Sequence, residues 1–142
     1  MKSVIENLRG RFPRNSQFSL KPEESINTAV RNGEVPDSPG VYLIFRSDDL
    51  TRPVYVGKAG TVQSHGSMKR QGLRKRLTAK QGRKSRARYF REKMKKEGCG
   101  LTFLWFVTFD QDSRILPALI EMEVLQAYFD QHGRLPEMNK SA

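Results

Sequence analysis

The sequence predicts an α+β fold, in which a small mixed or antiparallel three-stranded sheet is flanked by helices. Three short runs of β-branched and aromatic residues, near residues 40–45, 54–57 and 101–110, predict the strands. Charged stretches with apolar residues at helical spacing lie between and after these runs and predict the helices. Since 142 residues suffice for one modest core, we expect a single sheet with helices packed on it.

Residues 1–38 are predicted to be an N-terminal extension, and residues 39–142 to be the folded domain. Prolines at positions 13, 22, 36 and 39 interrupt the first part of the chain and favour irregular structure there. One short helix is expected from about residue 22 to residue 31. Pro22 suits its first turn, and Asn32-Gly33 is typical of a helix end.

The central part of the chain is predicted to contain a β-hairpin, a loop and two basic helices. A polar segment separates the first two β-runs, which favours a hairpin. Residues 61–72 are rich in Gly, Ser and Gln and are expected to be a loop. Leu73 and Leu77 begin the first basic helix, and the second is expected over residues 85–96, ahead of Gly98.

The last strand and the last helix complete the predicted fold. Residues 101–110 are rich in Phe, Trp and Val but alternate poorly, which is typical of a strand buried on both faces. Residues 114–132 are expected to form a long helix that ends before Gly133. We therefore expect this helix to be the largest element that packs against the sheet.

Glu121 lies in an unfavourable position on this last helix. With an advance of about 100° per residue, apolar side chains cover a broad arc, and Glu121 falls near its middle, whereas Glu123 lies on the polar side. A charge in an apolar arc is costly to bury unless it is paired or holds a cation. Glu121 is therefore either the partner of a nearby arginine or a metal ligand or catalytic carboxylate, and helix geometry alone leaves both open.

Positive charge is concentrated in one segment of the chain. The net charge is +11, yet residues 69–96 contain 14 basic residues and one acidic residue, for a local charge of +13. Such a field attracts phosphates and favours nucleic acid as the partner, although a solvated helical face is the alternative. The residues expected to contact nucleic acid are Lys80, Arg83, Lys84, Arg86, Arg88 and Arg91.

Composition disfavours several other classes of protein. Cys99 is the only cysteine, which excludes an intrachain disulfide and a Cys-based zinc site. The longest apolar stretch is too short to span a bilayer, the N-terminus lacks the apolar region of a secretory signal, and the basic helices lack a strong apolar face. We therefore expect an intracellular, cytoplasmic protein that does not bind membranes.

Five short segments stand out between residues 39 and 139. In chain order they are Gly40-Val41-Tyr42, Tyr55-Val56-Gly57-Lys58-Ala59, Leu73-Arg74-Lys75-Arg76-Leu77, Glu121-Met122-Glu123-Val124-Leu125 and Pro136-Glu137-Met138-Asn139. In this order they resemble the first strand, the second strand, the arginine helix, the glutamate helix and the terminal asparagine of the GIY-YIG nucleases. The second segment is similar to the form found in the excision-repair incision subunit.

The resemblance implies an endonuclease that hydrolyses DNA phosphodiester bonds, with double-stranded DNA preferred, at one divalent metal ion. Glu121 would be the only protein ligand of this Mg²⁺ or Mn²⁺, and waters and phosphate oxygens would occupy the other positions. Arg76 would bind the scissile phosphate and stabilise the negative charge that grows on it in the transition state.

The resemblance also implies roles for residues of the hairpin and of the chain end. Tyr42 and Tyr55 would lie side by side, with Tyr55 preferred as the general base for the attacking water. Because a phenol titrates near pH 10, Lys58 would supply the nearby positive charge that this base needs. Gly57 would let the backbone approach closely, and Asn139 would fix the chain end or hold the second tyrosine.

Several of these assignments have alternatives. Tyr42 and Tyr55 could be cross-strand packing partners with no chemical role. Arg74 competes with Arg76, because both flank the stripe of leucines on the first basic helix, and only the family's spacing favours Arg76. A basic nucleic-acid-binding protein that keeps the fold but lacks catalysis is the alternative function, although pure binding does not require the tyrosines, the arginine and Glu121 together.

The chain also departs from the family pattern. Lys80 stands one helical turn after the arginine, where many members have His or Tyr, although a lysine can still contact phosphate. Residues 61–72 are an insertion relative to the compact members and are similar to the restriction-enzyme branch. His65 lies in this insertion and is expected to have no role in the chemistry.

Overall fold

The computed structural model describes residues 1–69, 72–81 and 84–142. Within these ranges four strands form a central sheet, and four short strands form two small ribbons. In chain order the elements are α1 (Lys2–Arg11), β1 (Asn15–Leu20), α2 (Ile26–Asn32), β2 (Gly40–Arg46), β3 (Tyr55–Ala59), β4 (Thr61–Val62), β5 (Met68–Lys69), α3 (Leu73–Thr78), β6 (Lys80–Gln81), β7 (Lys84–Ser85), α4 (Arg86–Glu97), β8 (Leu101–Val107) and α5 (Pro117–His132).

The central sheet is antiparallel, and its strand order is β1-β8-β2-β3. Every residue of β8 is buried, as predicted for a strand covered on both faces. The α+β class predicted from the sequence is confirmed. The predicted number of three strands is wrong, because β1 adds a fourth strand antiparallel to β8, from the pair Asn15↔Phe106 to the pair Leu20↔Leu101.

The N-terminal residues belong to the same core as the rest of the chain. Leu8 of α1 and Phe12 after it pack on one face of the sheet, and Phe18 and Leu20 of β1 pack on the other. The boundary predicted after residue 38 therefore does not separate two structural units. The sequence signal for β1 is weak because only two of its six residues, at its C-terminal end, are buried.

The β2–β3 hairpin places alternate side chains on opposite faces of the sheet. Tyr42 pairs with Gly57, and Val41 pairs with Lys58. Tyr42 and Tyr55 belong to the face that carries α2, α3 and α4, whereas Val41 belongs to the face that carries α1 and α5. Because β3 is an outer strand, residues from both faces can meet at its outer edge.

Local residues explain where several helices begin and end. The Ser25 hydroxyl accepts a hydrogen bond of 3.2 Å from the backbone nitrogen of Asn27 and caps α2, so this helix begins later than the predicted start at Pro22. Gly98 follows α4 with φ +73°, and Gly133 ends α5 with φ +69°. Glycine adopts this left-handed conformation without steric cost.

Residues 61–72, which were expected to be a loop, contain a small ribbon. β4 pairs with β5, and Gly66 occupies the turn between them with φ +89°. His65 is exposed in this turn and lies within hydrogen-bond distance of the Ser67 hydroxyl, at 2.6 Å. A second ribbon, formed by β6 and β7, precedes α4.

The buried side of α5 is narrower than the apolar arc predicted from its sequence. Ile120, Val124 and other residues of one stripe are buried, but Met122 and Phe129 are 45% and 48% exposed. The helix packs on the outer part of the sheet, chiefly on β3 and β2. Because it packs mainly on these two strands, the sheet covers only a narrow stripe of the helix surface. In the part of the chain that the structure describes, no helix is long and apolar enough to cross a membrane.

Candidate active site at the edge of the sheet

Two tyrosines of the β2–β3 hairpin form the centre of the candidate site. Tyr42 is fully buried and Tyr55 is half-buried. Their ring centroids lie 5.9 Å apart, and the ring planes are inclined by 40°. Because Tyr55 belongs to the outer strand, its ring lies at the border between the core and the solvent. The structure therefore places the two predicted tyrosines side by side, with one of them accessible.

Gly57 has no side chain, and this leaves room for the rings of Tyr42 and Tyr55. A Cβ atom added to it would lie 2.6 Å from Cζ of Tyr42, 2.7 Å from the Tyr42 hydroxyl oxygen and 2.7 Å from Cε1 of Tyr55. Carbon atoms in favourable contact are about 3.5–4 Å apart. A side chain at position 57 would therefore displace at least one of the tyrosines.

We expect Gly57→Ala to destabilise the protein by roughly 1–3 kcal/mol, as overpacking a core does, and to misplace the ring pair. Urea unfolding followed by circular dichroism measures this change. Gly10→Ala is the matched control, because a Cβ at Gly10 meets nothing within 4 Å and alanine is favoured over glycine inside a helix. Equal stability of Gly57→Ala and the wild type would contradict the tight packing described here.

Arg76 approaches the tyrosine pair from α3. Leu73 and Leu77 are buried and anchor this short helix, and Arg76 is half-buried. Its charge acts on the Tyr42 hydroxyl, yet its Nε atom is buried without a hydrogen-bond partner among the described residues. Arg74, the alternative candidate, is exposed and lines a separate surface cleft beside α2. The structure thus brings Arg76, and not Arg74, to the tyrosines.

The environment of Tyr42 keeps its hydroxyl protonated. Burial raises the pKa of Tyr42 well above the ordinary value of 10.0, and Tyr55 adds to the rise, whereas the positive charges of Arg86 and Arg76 oppose it. Tyr42 is therefore neutral near pH 7 and suited to donate a hydrogen bond rather than to accept a proton. Tyr55, which is half-buried, is the tyrosine that a water molecule can reach.

Glu121 and Lys58 approach the same edge from the other face of the sheet. Glu121 is half-buried on α5, and Lys58 is half-buried on the face opposite the ring of Tyr55. Burial raises the pKa of Glu121, while the positive charges of Lys58 and Arg76 act against the rise. Arg76 therefore acts electrostatically on both Tyr42 and Glu121, which belong to opposite faces. The candidate site therefore draws on both faces of the sheet at the outer strand β3.

Within the described ranges, Glu121 has no ion-pair partner. No Lys, Arg or His nitrogen there lies within 4.0 Å of its carboxylate, whereas Glu123 pairs with Arg11 at 2.8 Å on the surface. The sequence leaves two roles open for Glu121, and one of them is a salt bridge with a nearby arginine. No described arginine forms that salt bridge. A half-buried carboxylate without a partner is costly, and a bound cation would offset that cost.

The carboxylate of Glu121 has the donor chemistry that a hard divalent cation prefers, and the charges of Lys58 and Arg76 act on the same carboxylate. Carboxylate oxygen is a preferred protein ligand of Mg²⁺, which usually keeps several waters and is held by one or two carboxylates plus phosphate oxygens. No group of three or more His, Cys, Asp and Glu side chains in the described part of the chain could hold a metal ion. A single carboxylate such as that of Glu121 is compatible with the open, water-rich coordination that Mg²⁺ favours.

Asn139 fastens the C-terminal segment to β3. The backbone nitrogen of Val56 donates to Oδ1 of Asn139, and Nδ2 of Asn139 donates to the Val56 carbonyl, both at 2.9 Å. The backbone nitrogen of Met138 donates to the carbonyl of Val54 at 2.8 Å. These bonds satisfy backbone groups of Val54 and Val56 along the outer edge of the sheet, where the C-terminal segment covers β3. Asn139 therefore supports the strand that carries Tyr55.

The residues predicted to bind DNA differ in their placement. Arg88 and Arg91 are exposed on α4, and Arg88 forms a salt bridge of 3.1 Å with Glu92. Arg86 is only 4% exposed, so it does not belong to the exposed basic face that carries Arg88 and Arg91. Outside the described residues lie Arg83 and the side chains of Lys80 and Lys84.

The burial of Arg86 follows from a spacing that the sequence contains. Arg86, Phe90 and Met94 occur at intervals of four residues, and they are the buried residues of α4. This stripe faces the sheet, and it brings the Arg86 charge into range of the Tyr42 hydroxyl. Composition groups Arg86 with the surface charges, whereas helical spacing places it in the apolar stripe.

The site therefore combines hydroxyl, guanidinium and ammonium groups with one unpaired carboxylate, around one strand edge. Such a set can bind an anion and hold a cation next to it, with a solvent-accessible phenol nearby. Its members from the described residues are Tyr42, Tyr55, Lys58, Arg76, Arg86 and Glu121.

Comparison of the chain with protein-family models, with curated proteins and with solved structures found no match.

Proposed function

We propose that the protein is a metal-dependent endonuclease that hydrolyses DNA phosphodiester bonds. The observation that carries the proposal is the convergence of Tyr55, Arg76 and Glu121 on the edge of β3, with Glu121 unpaired among the described residues. They offer a proton acceptor, a phosphate-binding cation and a metal ligand, which phosphodiester hydrolysis can use together. The resemblance to the GIY-YIG nucleases supports the same reaction.

Glu121 would hold the divalent cation through its carboxylate oxygens. When bound, Mg²⁺ or Mn²⁺ would supply positive charge beside the phosphate and lower the cost of the charge that develops there. Half-burial of Glu121 favours this role, because a carboxylate attracts a cation more strongly where water is partly excluded. Lys58, whose charge acts on Glu121, would add positive charge next to the bound phosphate.

Tyr55 and Arg76 would act on the water and on the phosphate. Tyr55 would accept the proton of the attacking water, since it is the accessible member of the tyrosine pair. Arg76 would contact the phosphate with its planar guanidinium, which matches two phosphate oxygens at once. Tyr42, which stays protonated, would donate its hydrogen bond inside the site.

The alternative function is non-catalytic binding of nucleic acid on the same fold. The exposed basic residues of α4 favour it, because they would contact any phosphate backbone without sequence selectivity. Binding alone would not require an unpaired half-buried carboxylate, which repels phosphate unless a cation is present. The enzyme is therefore the better supported of the two functions.

Incubation with supercoiled plasmid, with Mg²⁺ or with a chelator, tests the function. We expect nicked or linear plasmid only with the metal. Tyr55→Phe removes one hydroxyl and keeps the ring, and it should lower the cleavage rate by ~10²–10⁴-fold, as loss of a general base does. Intact plasmid with wild-type protein and Mg²⁺ or Mn²⁺, together with tight DNA binding, would favour the alternative. Wild-type cleavage by Tyr55→Phe would show that another group takes the proton.

Salt dependence of DNA binding tests the role of the exposed basic residues of α4. We expect log K to fall steeply with log [salt]. The double variant Arg91→Ala/Lys95→Ala should reduce the slope by about two units, because each side chain would neutralise one phosphate. Both residues are exposed. Arg52→Ala/Lys21→Ala is the matched control, because it removes two exposed charges outside the basic segment. Identical slopes for both double variants would mean that α4 presents only a solvated face.

A further inference from the structure

Several buried polar atoms lack a hydrogen-bond partner within the described residues, and three of them belong to the Tyr42 hydroxyl and the two arginines whose charges act on it. They are the hydroxyl oxygen of Tyr42, Nε of Arg76 and Nε of Arg86. A guanidinium can only donate hydrogen bonds, whereas a protonated phenol can donate one and can also accept. The phenol oxygen of Tyr42 is the one acceptor that the three groups themselves supply, and Arg76 already acts on it as a donor, although without the geometry of a full hydrogen bond. The cluster therefore has more donors than acceptors. Buried donors are normally satisfied, so this shortage calls for an explanation.

Arg86 is the most buried charged group of the cluster, with 4% of its surface exposed. The acidic residues of its own helix are occupied elsewhere, since Glu92 pairs with Arg88 at 3.1 Å and Glu97 pairs with Lys93 at 2.6 Å. In the described ranges no carboxylate lies within 4.0 Å of the Arg86 guanidinium. A buried cation without an anion carries a large desolvation cost, and an anionic ligand would offset it.

The fold holds Arg86 in this position. Its backbone nitrogen donates to the Ala79 carbonyl at 3.0 Å, and its side chain shares the buried stripe of α4 with Phe90 and Met94. Its charge and that of Arg76 both act on the Tyr42 hydroxyl. Arg76 is half-buried and Arg86 is almost fully buried, so Arg86 is the more interior of the two arginines.

We infer that Tyr42, Arg76 and Arg86 form an oxyanion pocket, in which Arg86 is a second, inner arginine that stabilises an oxygen of a phosphate group. The choice of phosphate rests on the proposed function, whereas the need for an anionic acceptor rests on the burial and the unused donors. A phosphate presents several acceptor oxygens in different directions, which suits donors that converge from two helices and a strand. Arg86 thereby binds in the interior and takes no part in the surface contacts of α4.

Phosphate-dependent thermal unfolding tests the pocket without DNA, metal or cleavage. The melting temperature is measured in chelator at pH 7.5 against millimolar inorganic phosphate, with sodium chloride adjusted to hold the ionic strength constant. We expect a saturable rise for the wild type, because a ligand that binds only the folded state stabilises it. Arg86→Met should weaken the apparent phosphate affinity roughly ten- to hundredfold, as loss of a hydrogen bond to a charged group does.

Two further variants make the test specific. Arg52→Met removes an exposed arginine from the β2–β3 connection and should respond to phosphate like the wild type. If Arg86→Met does not fold, Arg86→Lys keeps the interior charge, and it should bind phosphate several-fold more weakly because an ammonium lacks the planar fork. Wild-type affinity in either Arg86 variant, or no phosphate response in the wild type, would overturn the pocket. Phosphate binding by a protein that never cuts DNA would contradict the nuclease and leave the pocket standing.

Discussion

Glu121→Gln is expected to abolish DNA cleavage while the metal-free protein stays at least as stable as the wild type. The carboxylate is half-buried and has no ion-pair partner in the described part of the chain, so its neutral isostere removes a desolvation cost. The same change removes the metal ligand. Cleavage of plasmid in Mg²⁺ and urea unfolding in chelator measure the two effects separately.

The stability difference should depend on pH with a definite sign. Burial raises the pKa of Glu121 in the folded protein, so protonation of this group favours folding, and that contribution is lost as the pH rises through the folded-state pKa. Glu121→Gln should therefore be more stable than the wild type at neutral pH. The difference should shrink below the ordinary glutamate pKa of about 4.3. Urea unfolding in chelator at pH 4 and pH 7 measures this dependence.

Glu123→Gln is the matched control for this prediction. Glu123 lies on the same helix and forms an exposed salt bridge with Arg11, and such pairs contribute about 0–1 kcal/mol. We expect this variant to cleave DNA at nearly the wild-type rate. A clear loss of stability in Glu121→Gln, with cleavage retained, would instead make Glu121 a structural residue whose partner lies outside the described residues.

Arg76→Ala is expected to lower the cleavage rate at least as much as Tyr55→Phe, by about 10²–10⁴-fold or more. The guanidinium would meet charge that grows on the phosphate in the transition state, where water is partly excluded. Arg76→Lys should restore little activity, because a single ammonium cannot make a two-pronged contact. Single-turnover cleavage with saturating protein measures the chemical step, and DNA affinity should stay within about tenfold of the wild type.

Arg74→Ala is the control for the position of this arginine. Arg74 belongs to the same short helix but is exposed and lines a cleft beside α2. We expect Arg74→Ala to cut at close to the wild-type rate and to show at most a small loss of affinity. An inactive Arg74→Ala together with an active Arg76→Ala would place the phosphate on the other side of α3 and would contradict the proposed site.

Local sequence patterns determined the α+β class and most of the elements near the site. The β-branched and aromatic runs indicated the hairpin that carries Tyr42 and Tyr55, and Leu73 and Leu77 indicated the helix that carries Arg76. The glycine after α5 indicated the end of that helix. These features depend on neighbours in sequence and on backbone propensity, so they can be inferred without knowledge of the packing.

The tertiary structure alone decided how these elements make a site. The fourth strand, β1, forms only by pairing with β8, which lies far along the chain, and its own sequence is too polar to indicate it. Arg86 is buried because the sheet covers its stripe of α4, although composition marks it as a surface charge. Glu121 is unpaired among the described residues and lies within electrostatic reach of Arg76. Both facts depend on contacts between elements that are distant in sequence. The burial of a side chain and its distance from other charges are set only when the chain is packed, so the sequence alone leaves them open.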